Sequence, residues 1–427
     1  MPSVCFYFQV HQPYRIKKFS VFDIGNDSEY FNDDSGSSLN NKLILERVSM
    51  KSYLPTNAIL LDLLKKHHGF KVSFSFSGVF LEQIEKDFPE VVESFQKLVS
   101  IGRVEILSET YYHSLSFLYS RPEFDFQVKK HAKLIKKLFG VVPKVFRNTE
   151  FIFSNELASH VEKMGYQAIL AEGADHILDW RSPNFVYTPL GCNKIKLLLK
   201  NYRLSDDIAF RFSEKSWKDY PLDAPKFAQW ISRHNGEGEL VNLFMDYETF
   251  GEHQWEHSGI FNFLKRLPEE ILNHPDNNFV TPSEAVCRYC PKGELDFPHY
   301  VSWADNERDL SAWLSNDLQK DSFEKVYAME SAVMATKDEK IIENWRKMQI
   351  SDHFYYMCTK WFSDGDVHKY FNPYESPYEA FISFANAMSD LRLRVKKSLK
   401  NKKIKIANEN KLSKFSGFER LEKVGAS

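Results

Sequence analysis

From Val4 onward, strand-like and helix-like segments alternate through about two-thirds of this chain. Such an alternation restricts a sequence to folds built on a parallel sheet with crossover helices. VCFYFQV reads as a buried strand. Pro55 opens PTNAILLDLLKKHHG, whose leucines repeat at helical spacing and whose Gly69 suits a C-terminal cap. KVSFSFSG follows, with Val72, Phe74 and Phe76 alternating against Ser73, Ser75 and Ser77. PEVVESFQKLVSIG reads as a helix, RVEILSE as a strand, EFDFQVKKHAKLIKKLFG as an amphipathic helix and PKVFRNTE as a strand. Ser154 is placed to cap SNELASHVEKMG, and YQAILAEG resumes the strands. IKLLLKNY, a helix from Ala224 and ELVNLFMDYE complete the series. Seven or eight such units over about 280 residues suit a closed or nearly closed β/α barrel. A doubly wound open sheet is the alternative, but no G-x-G-x-x-G follows the first strand.

From Trp303 the pattern changes. NDLQKDSFEKVYAMESAVM, EKIIENWRKMQISDHFYYMCTKW and SPYEAFISFANAMSDLRLRVKKSL carry helical periodicity and few strand signals. The expected organisation is a catalytic barrel over 1–300, a helical region over 301–395 that completes the cleft, and a basic polar tail over 396–427 that frays into solvent.

Composition narrows the function classes. A formal net charge of −2 gives no global attraction to nucleic acid or an anionic membrane. No apolar stretch approaches the roughly 20 residues needed to span a bilayer, and MPSVCFYFQV reads as a strand rather than a leader. Five scattered cysteines suit a reducing compartment, so a cytoplasmic location is expected. Cys287 and Cys290 form a lone C-x-x-C without the second pair a metal site needs, and no cofactor or metal is called for. The 20 Tyr and 8 Trp include candidates for stacking on sugars, since each ring joins a flat apolar face to a polar edge.

The chemistry is expected at the C-terminal ends of the strands, where barrel sites form. The polar residues there are His11, Glu82 slightly beyond its strand, Glu109 with His113, Glu150, and Asp246 with Glu248. A carboxylate directly after a buried strand is costly to desolvate unless paired or used. Two such sites far apart in sequence suggest paired carboxylates converging on one pocket, the basic equipment of a glycosidase. Asp246 and Glu248 are two apart, so on a strand they share a face; ionised together they repel, and one pKa should rise. Spacing alone does not say which is the acid. Taken alone, a His or Glu at a strand end is more often a hydrogen-bonded support than a catalyst; recurrence at successive strand ends strengthens the joint case for a site.

Four ordered motifs then resemble those of glycoside hydrolase family 57, the α-amylase-like family: HQP at 11–13, FLEQ at 80–83, FRNTE ending at Glu150, and FMDYETFGEH over 244–253. WADNERDLSAWL (303–314) and DGDVHKYFNPYESPYEAF (364–381) resemble the downstream region of a bacterial and archaeal α-amylase branch. The resemblance implies an α/β fold, an incomplete TIM-like (β/α)7 barrel with a C-terminal helical region, and a retaining mechanism on α-1,4-glucans such as starch, glycogen or maltooligosaccharides. It makes Glu150 the nucleophile and Asp246 the general acid/base, with His11, Glu82 and Glu248 as sugar contacts. His113, Asp207, Trp303 and Asp305 are further candidate substrate contacts, the first three with a structural reading beside them: rim support for His113, turn capping for Asp207, a packing anchor for Trp303. Where several members carry a Trp shortly before the nucleophile, this chain has Arg147 and Asn148. Retention predicts carboxyls about 5–5.5 Å apart. Hydrolysis, 4-α-glucanotransfer and branching all occur in the family, and α-amylase-type hydrolysis follows from the branch resemblance alone.

Two other classes compete. A metal-dependent deacetylase or α-mannosidase would need clustered Asp and His ligands, whereas the first strand here ends in His-Gln-Pro. A barrel that binds glucan without cleaving it is compatible with the fold, because fold does not fix function.

Overall fold

The computed structural model describes residues 2–360 and 367–418, with side chains to 402. The first three residues of the downstream motif, 364–366, and residues 419–427 of the basic tail lie outside the described residues.

Ten strands are described: β1 (Ser3–Val10), β2 (Val72–Phe76), β3 (Val104–Ile106), β4 (Val145–Arg147), β5 (Ala168–Glu172), β6 (Val186–Pro189), β7 (Lys196–Lys200), β8 (Leu240–Asp246), β9 (Asn278–Phe279) and β10 (Glu294–Leu295). β8, β1, β2 and β3 pair in parallel, as do β4, β5 and β7. A parallel bridge between Ser108 and Phe146 joins the two sets at β3 and β4. At the other seam, between β7 and β8, the Asn242 side-chain amide donates to Leu199 O at 2.8 Å and the Asn201 N–H donates to Asn242 O at 2.9 Å. Seven parallel strands thus close into an imperfect ring in the order β1-β2-β3-β4-β5-β7-β8, the (β/α)7 barrel. β6 runs antiparallel to β7, with β10 beside it, outside the ring.

Strand alternation sorts side chains between two buried environments rather than between core and water. On β1, Val4, Phe6, Phe8 and Val10 face the helical layer, while Cys5 and Tyr7 pack inside the barrel with Phe151, Leu170, Leu198 and Phe244. The serines of β2 are fully buried too, because the barrel interior is polar. Ser73 Oγ donates to Phe6 O, and Ser75 Oγ bonds Gln9 Oε1 at 2.8 Å. Helix starts follow the sequence: Ser77, Ser120 and Ser154 accept from the backbone N–H three residues on, which satisfies one of the free donors of the first turn.

A second core belongs to the helical region. Trp313, Phe323, Tyr327, Trp345, Phe354, Phe384 and Leu391 pack together, and Ile16, Phe19, Tyr30, Phe31 and Leu39, from the long connection after β1, pack among them. Asp390, fully buried on the helix Pro377–Phe418, accepts from Tyr30 Oη at 2.5 Å and from Gly25 N at 2.6 Å. This helix runs through position 396 and carries the chain to 418.

Phe74 sits at the centre of the layer between sheet and helices, with Phe8, Phe76, Phe95 and Tyr247 at ring-centroid distances of 5.2–5.6 Å. Phe74→Ala is expected to lower unfolding free energy by about 3–5 kcal/mol, read as a lower denaturant midpoint with an unchanged slope.

Candidate active site

The C-terminal ends of the barrel strands and the helical region enclose a cavity of roughly 630 Å3, well inside the range of about 300–1,000 Å3 typical of ligand sites. The barrel contributes Gln9, His11, His113, Glu150, Lys200, Asp246 and Glu248 to its walls. Trp303, Asp305, Trp313, Asp352 and Tyr355 come from the helical region.

Glu150 follows β4 on a tight turn. It and Phe151 have φ of 57° and 52°, a left-handed conformation that costs a non-glycine residue of order 1–3 kcal/mol. The turn is held by the Trp303 N–H, which donates to Glu150 O at 3.3 Å. The result aims the carboxylate across the barrel mouth into three donors. His113 Nε2 lies 3.1 Å and Ser351 Oγ 3.3 Å from Oε1, and Trp303 Nε1 donates to Oε2 at 2.8 Å. Burial alone would raise this carboxyl's pKa, but the His113 bond and charge, with the nearby Arg147 guanidinium, bring it below the usual value.

Asp246, the last residue of β8, has the opposite environment. Among the described residues no protein donor lies within hydrogen-bonding distance of its carboxyl. Burial, and then the charge of Glu150, lift its pKa to about 6 against the pull of Arg147, Lys200 and His113. One carboxyl is therefore kept ionised and the other is lifted toward neutrality, the division of labour an acid–nucleophile pair requires. Glu248 departs from the strand geometry expected for it, because β8 ends at Asp246 and a 3-10 turn takes over at Tyr247–Thr249. It still faces the cavity, accepts from the Tyr53 hydroxyl, and is pushed to about 8 by burial and then by Asp246. The repulsion expected between Asp246 and Glu248 thus raises the Glu248 carboxyl, while Asp246 is raised by burial and Glu150. Gly251 closes the loop behind them at φ +106°, where a Cβ would lie 2.0 Å from Lys51 O.

The two histidines stack face to face, with centroids 3.9 Å apart at 22°. His113 Nδ1 lies 3.0 Å from Glu109 Oε2. Burial would strip its proton, but its bonds to Glu109 and Glu150 raise its pKa to about 9. His11 is driven the other way by burial and by the neighbouring His113 charge. Its Nδ1 meets Ser77 Oγ at 2.6 Å and its Nε2 meets Asp352 Oδ2 at 3.0 Å.

Trp303 is more than a packing anchor. Its indole N–H reaches Glu150, and its ring packs on Phe151, with Arg147 and Lys200 at 5.0 and 5.4 Å from its centroid. Behind it, Arg308 Nη1 donates to Trp303 O at 2.7 Å and lies 3.3 Å from Glu172, while Lys200 sits 3.0 Å from Asp206. Asp305 faces the cavity, but His368 at 2.9 Å and Lys360 at 3.4 Å hold its carboxylate.

Two anticipated contacts stand apart from the cavity walls. Glu82 lies on the helix Gly78–Asp87 and accepts from Tyr14 Oη, Tyr111 Oη and Lys347 Nζ at 3.0–3.2 Å, which pins the barrel to the helical region. Asp207, within the helix Tyr202–Ala209, is taken up by Arg211 at 2.6 Å; its neighbour Asp206 is the one that turns toward Lys200. Asp352, Ser351 and Tyr355 went unnoticed in the sequence because they sit in a helical stretch with no strand end to mark them. Lys200 carried a usable signal, a lysine closing an apolar strand. Among the described residues no group of three or more His, Cys, Asp or Glu side chains is placed to hold a metal ion, and no helix is long and apolar enough to cross a membrane.

A β/α barrel whose mouth carries one carboxyl with a lowered pKa and one with a raised pKa in one sugar-sized cavity is a glycosidase-type architecture. The chain matches the family model for glycosyl hydrolase family 57 over residues 5–298, and it belongs to that family. It is 41% identical over 408 residues to a putative alpha-amylase of Methanocaldococcus jannaschii, covering 93% of this chain and 85% of that protein. It is 27% identical to alpha-amylase 1 of Dictyoglomus thermophilum over 67% of this chain, but only 40% of that longer protein. Among solved structures, a GH57-type branching enzyme from Pyrococcus horikoshii superposes with a TM-score of 0.65 at 15% identity, covering 87% of each chain. A 4-alpha-glucanotransferase from Thermococcus litoralis gives a TM-score of 0.62 at 18% identity, over 83% of this chain and 56% of that one. At those identities the superpositions speak to the fold alone.

Removing one member of a buried ion network leaves its partners uncompensated, at a cost of about 3–5 kcal/mol. Arg308→Ala should therefore lower the thermal midpoint of unfolding markedly, whereas Arg203→Ala, which loses an exposed pair with Asp175, should change it little.

Proposed function

We propose that this protein is a retaining hydrolase of α-1,4-glucans, of the α-amylase type. The observation that carries the reading is the pair Glu150 and Asp246, two carboxyls in one cavity whose pKa values their surroundings shift in opposite directions. Exposed faces of Phe210, Trp255 and Tyr370 line the same cavity, as stacking surfaces for sugar rings. The 41% identical relative named as a putative alpha-amylase favours hydrolysis over transfer.

In the first step a Glu150 carboxylate oxygen bonds to the anomeric carbon as the glycosidic C–O bond breaks, and the Asp246 proton goes to the departing oxygen. Oε1 already accepts from His113 and Ser351, so Oε2, with one donor, is the oxygen freer to attack. Esterification removes the Glu150 charge that helps raise Asp246, whose pKa falls, so that it serves next as base. In the second step Asp246 takes a proton from water as the water oxygen bonds to the anomeric carbon and the ester bond to Glu150 breaks.

Incubation with maltooligosaccharides and starch, with products resolved by length, tests the activity. Only shorter products are expected; longer products would mean transfer, new α-1,6 linkages branching, and binding without cleavage a glucan-binding protein. Proton NMR of the first-formed reducing ends should show the α anomer. Glu150→Gln should abolish turnover with the fold intact, and Asp246→Asn should lower kcat by about 10²–10⁴-fold.

The pH dependence follows from the same pair. Activity needs Glu150 deprotonated and Asp246 protonated. kcat/KM should rise through an acid limb below 4.5 and fall through an alkaline limb near pH 6, the limbs belonging to the coupled pair.

A further inference from the structure

We propose that Glu109 is a positioning residue that acts through His113: its buried carboxylate makes the imidazole a doubly protonated bridge, which fixes Glu150 in one orientation and supplies a cation beside it in both steps of the reaction. The role rests on the reading of Glu150 as nucleophile.

Glu109 is fully buried and does not line the cavity, so it cannot touch substrate. Its whole environment is arranged to hold a negative charge. Gln9 Nε2 donates to Oε1 at 3.2 Å, His113 Nδ1 lies 3.0 Å from Oε2, and Arg147 Nη1 lies 3.9 Å from the same oxygen. Its backbone N–H points at His131 Nδ1, 3.4 Å away, while His131 Nε2 meets Phe76 O at 2.8 Å. That leaves His131 neutral, with its proton on Nε2. Burial pushes the Glu109 carboxyl up, but the His113 bond and charge, with Arg147, reverse this and bring it to about 2.

The geometry then dictates the state of His113. An ionised carboxylate can only accept hydrogen bonds. His113 has one on each ring nitrogen, Glu109 at 3.0 Å and Glu150 at 3.1 Å, so both nitrogens must carry protons. A left-handed backbone at His113, φ 48°, turns the ring into this bridging position. The remaining charged and titratable groups about the ring are His11, stacked on its face, and Arg147, Asp352 and Asp246 nearby. His11 does not compete for the proton. Its Nε2 donates to the Asp352 carboxylate, its Nδ1 meets the Ser77 hydroxyl, and burial with the His113 charge lowers its pKa.

Glu150 alone could not keep this bridge charged through a turnover. Once its carboxylate is esterified, one of the two anions holding the imidazolium is gone. Glu109 is never esterified, so it retains the proton on His113. The imidazolium then still donates to Glu150 Oε1 when the carboxylate is expelled in the second step, and stabilises the returning charge.

Glu109→Gln keeps the shape and removes the charge. In the free enzyme, with no glucan present, 15N NMR of the histidines should show an imidazolium at pH 8 that disappears in a His113→Asn control. In Glu109→Gln its titration should move down by a pH unit or more. kcat should fall by about 10- to 100-fold, as for loss of a hydrogen bond to a charged group, with KM little changed. Glu109→Asp, which keeps the charge, should restore the imidazolium and part of kcat; a merely structural role would not move the His113 titration. A neutral His113 in the wild type at pH 8, or a Glu109→Gln variant with unchanged His113 titration, overturns the proposal. The wild-type spectrum and the Asp variant decide the matter if the Gln variant does not fold. Because the NMR readout needs no substrate, a persistent His113 imidazolium in a protein that cleaves no glucan would refute the amylase reading and leave the bridge standing.

Discussion

The structure turns on the desolvation of acidic groups at the open end of the barrel. A carboxylate removed from water is stable there only if donors and cations replace the lost hydration. The barrel strands deliver Glu109, Glu150, Glu172 and Asp246 to one end of the ring, and the barrel supplies His113, Arg147 and Lys200 as counter-charges. The remaining partners come from the helical region: the Trp303 indole and Ser351 hydroxyl on Glu150, Asp352 on His11, and Arg308 on Glu172. The helical region is thus part of the electrostatic completion of the site. Lys347 on Glu82 and Asp390 with Tyr30 serve the same joining role farther out.

Within that shared burial, small differences in partners separate the two central carboxyls. Glu150 has three donors and stays ionised. Asp246 has burial and a neighbouring anion, and holds its proton to about 6. The asymmetry is self-adjusting, because the charge on Glu150 is one cause of the proton on Asp246, and chemistry that removes the first releases the second. The strained turn at Glu150 and Phe151 fits this picture. Its cost is tolerated where Trp303 fixes the backbone from above and where the turn points the carboxylate into its donors.

Much of the fold was legible because it is written locally. The alternation of β2, the capping serines at 77, 120 and 154, and the apolar stretch of β8 each report on a few neighbouring residues. The rule that barrel sites form at strand ends then found His11, His113, Glu150, Asp246 and Glu248, all of which line one cavity. Glu82, which the same rule picked, and Asp207, a separate candidate, lie outside the cavity walls: each sits within a helix whose face is set by packing, where Lys347 and Arg211 engage them. Asp352 and Ser351 were invisible for the complementary reason: nothing local distinguishes a polar residue in a helix that faces solvent from one that faces a cavity 200 residues away in the chain.

The sequence by itself determined the repeating β/α units, the residue types at each strand end and the family likeness carried by the ordered motifs, since all of these are set by short-range periodicity and by side-chain chemistry. Tertiary structure alone decided which acid is ionised, which histidine carries the proton, and that a tryptophan and a serine from the helical region complete the Glu150 site. Protonation depends on distances of about 3 Å between groups far apart in the chain, such as His113 and Trp303 with Glu150, and only the closed barrel with its helical cover brings those groups together.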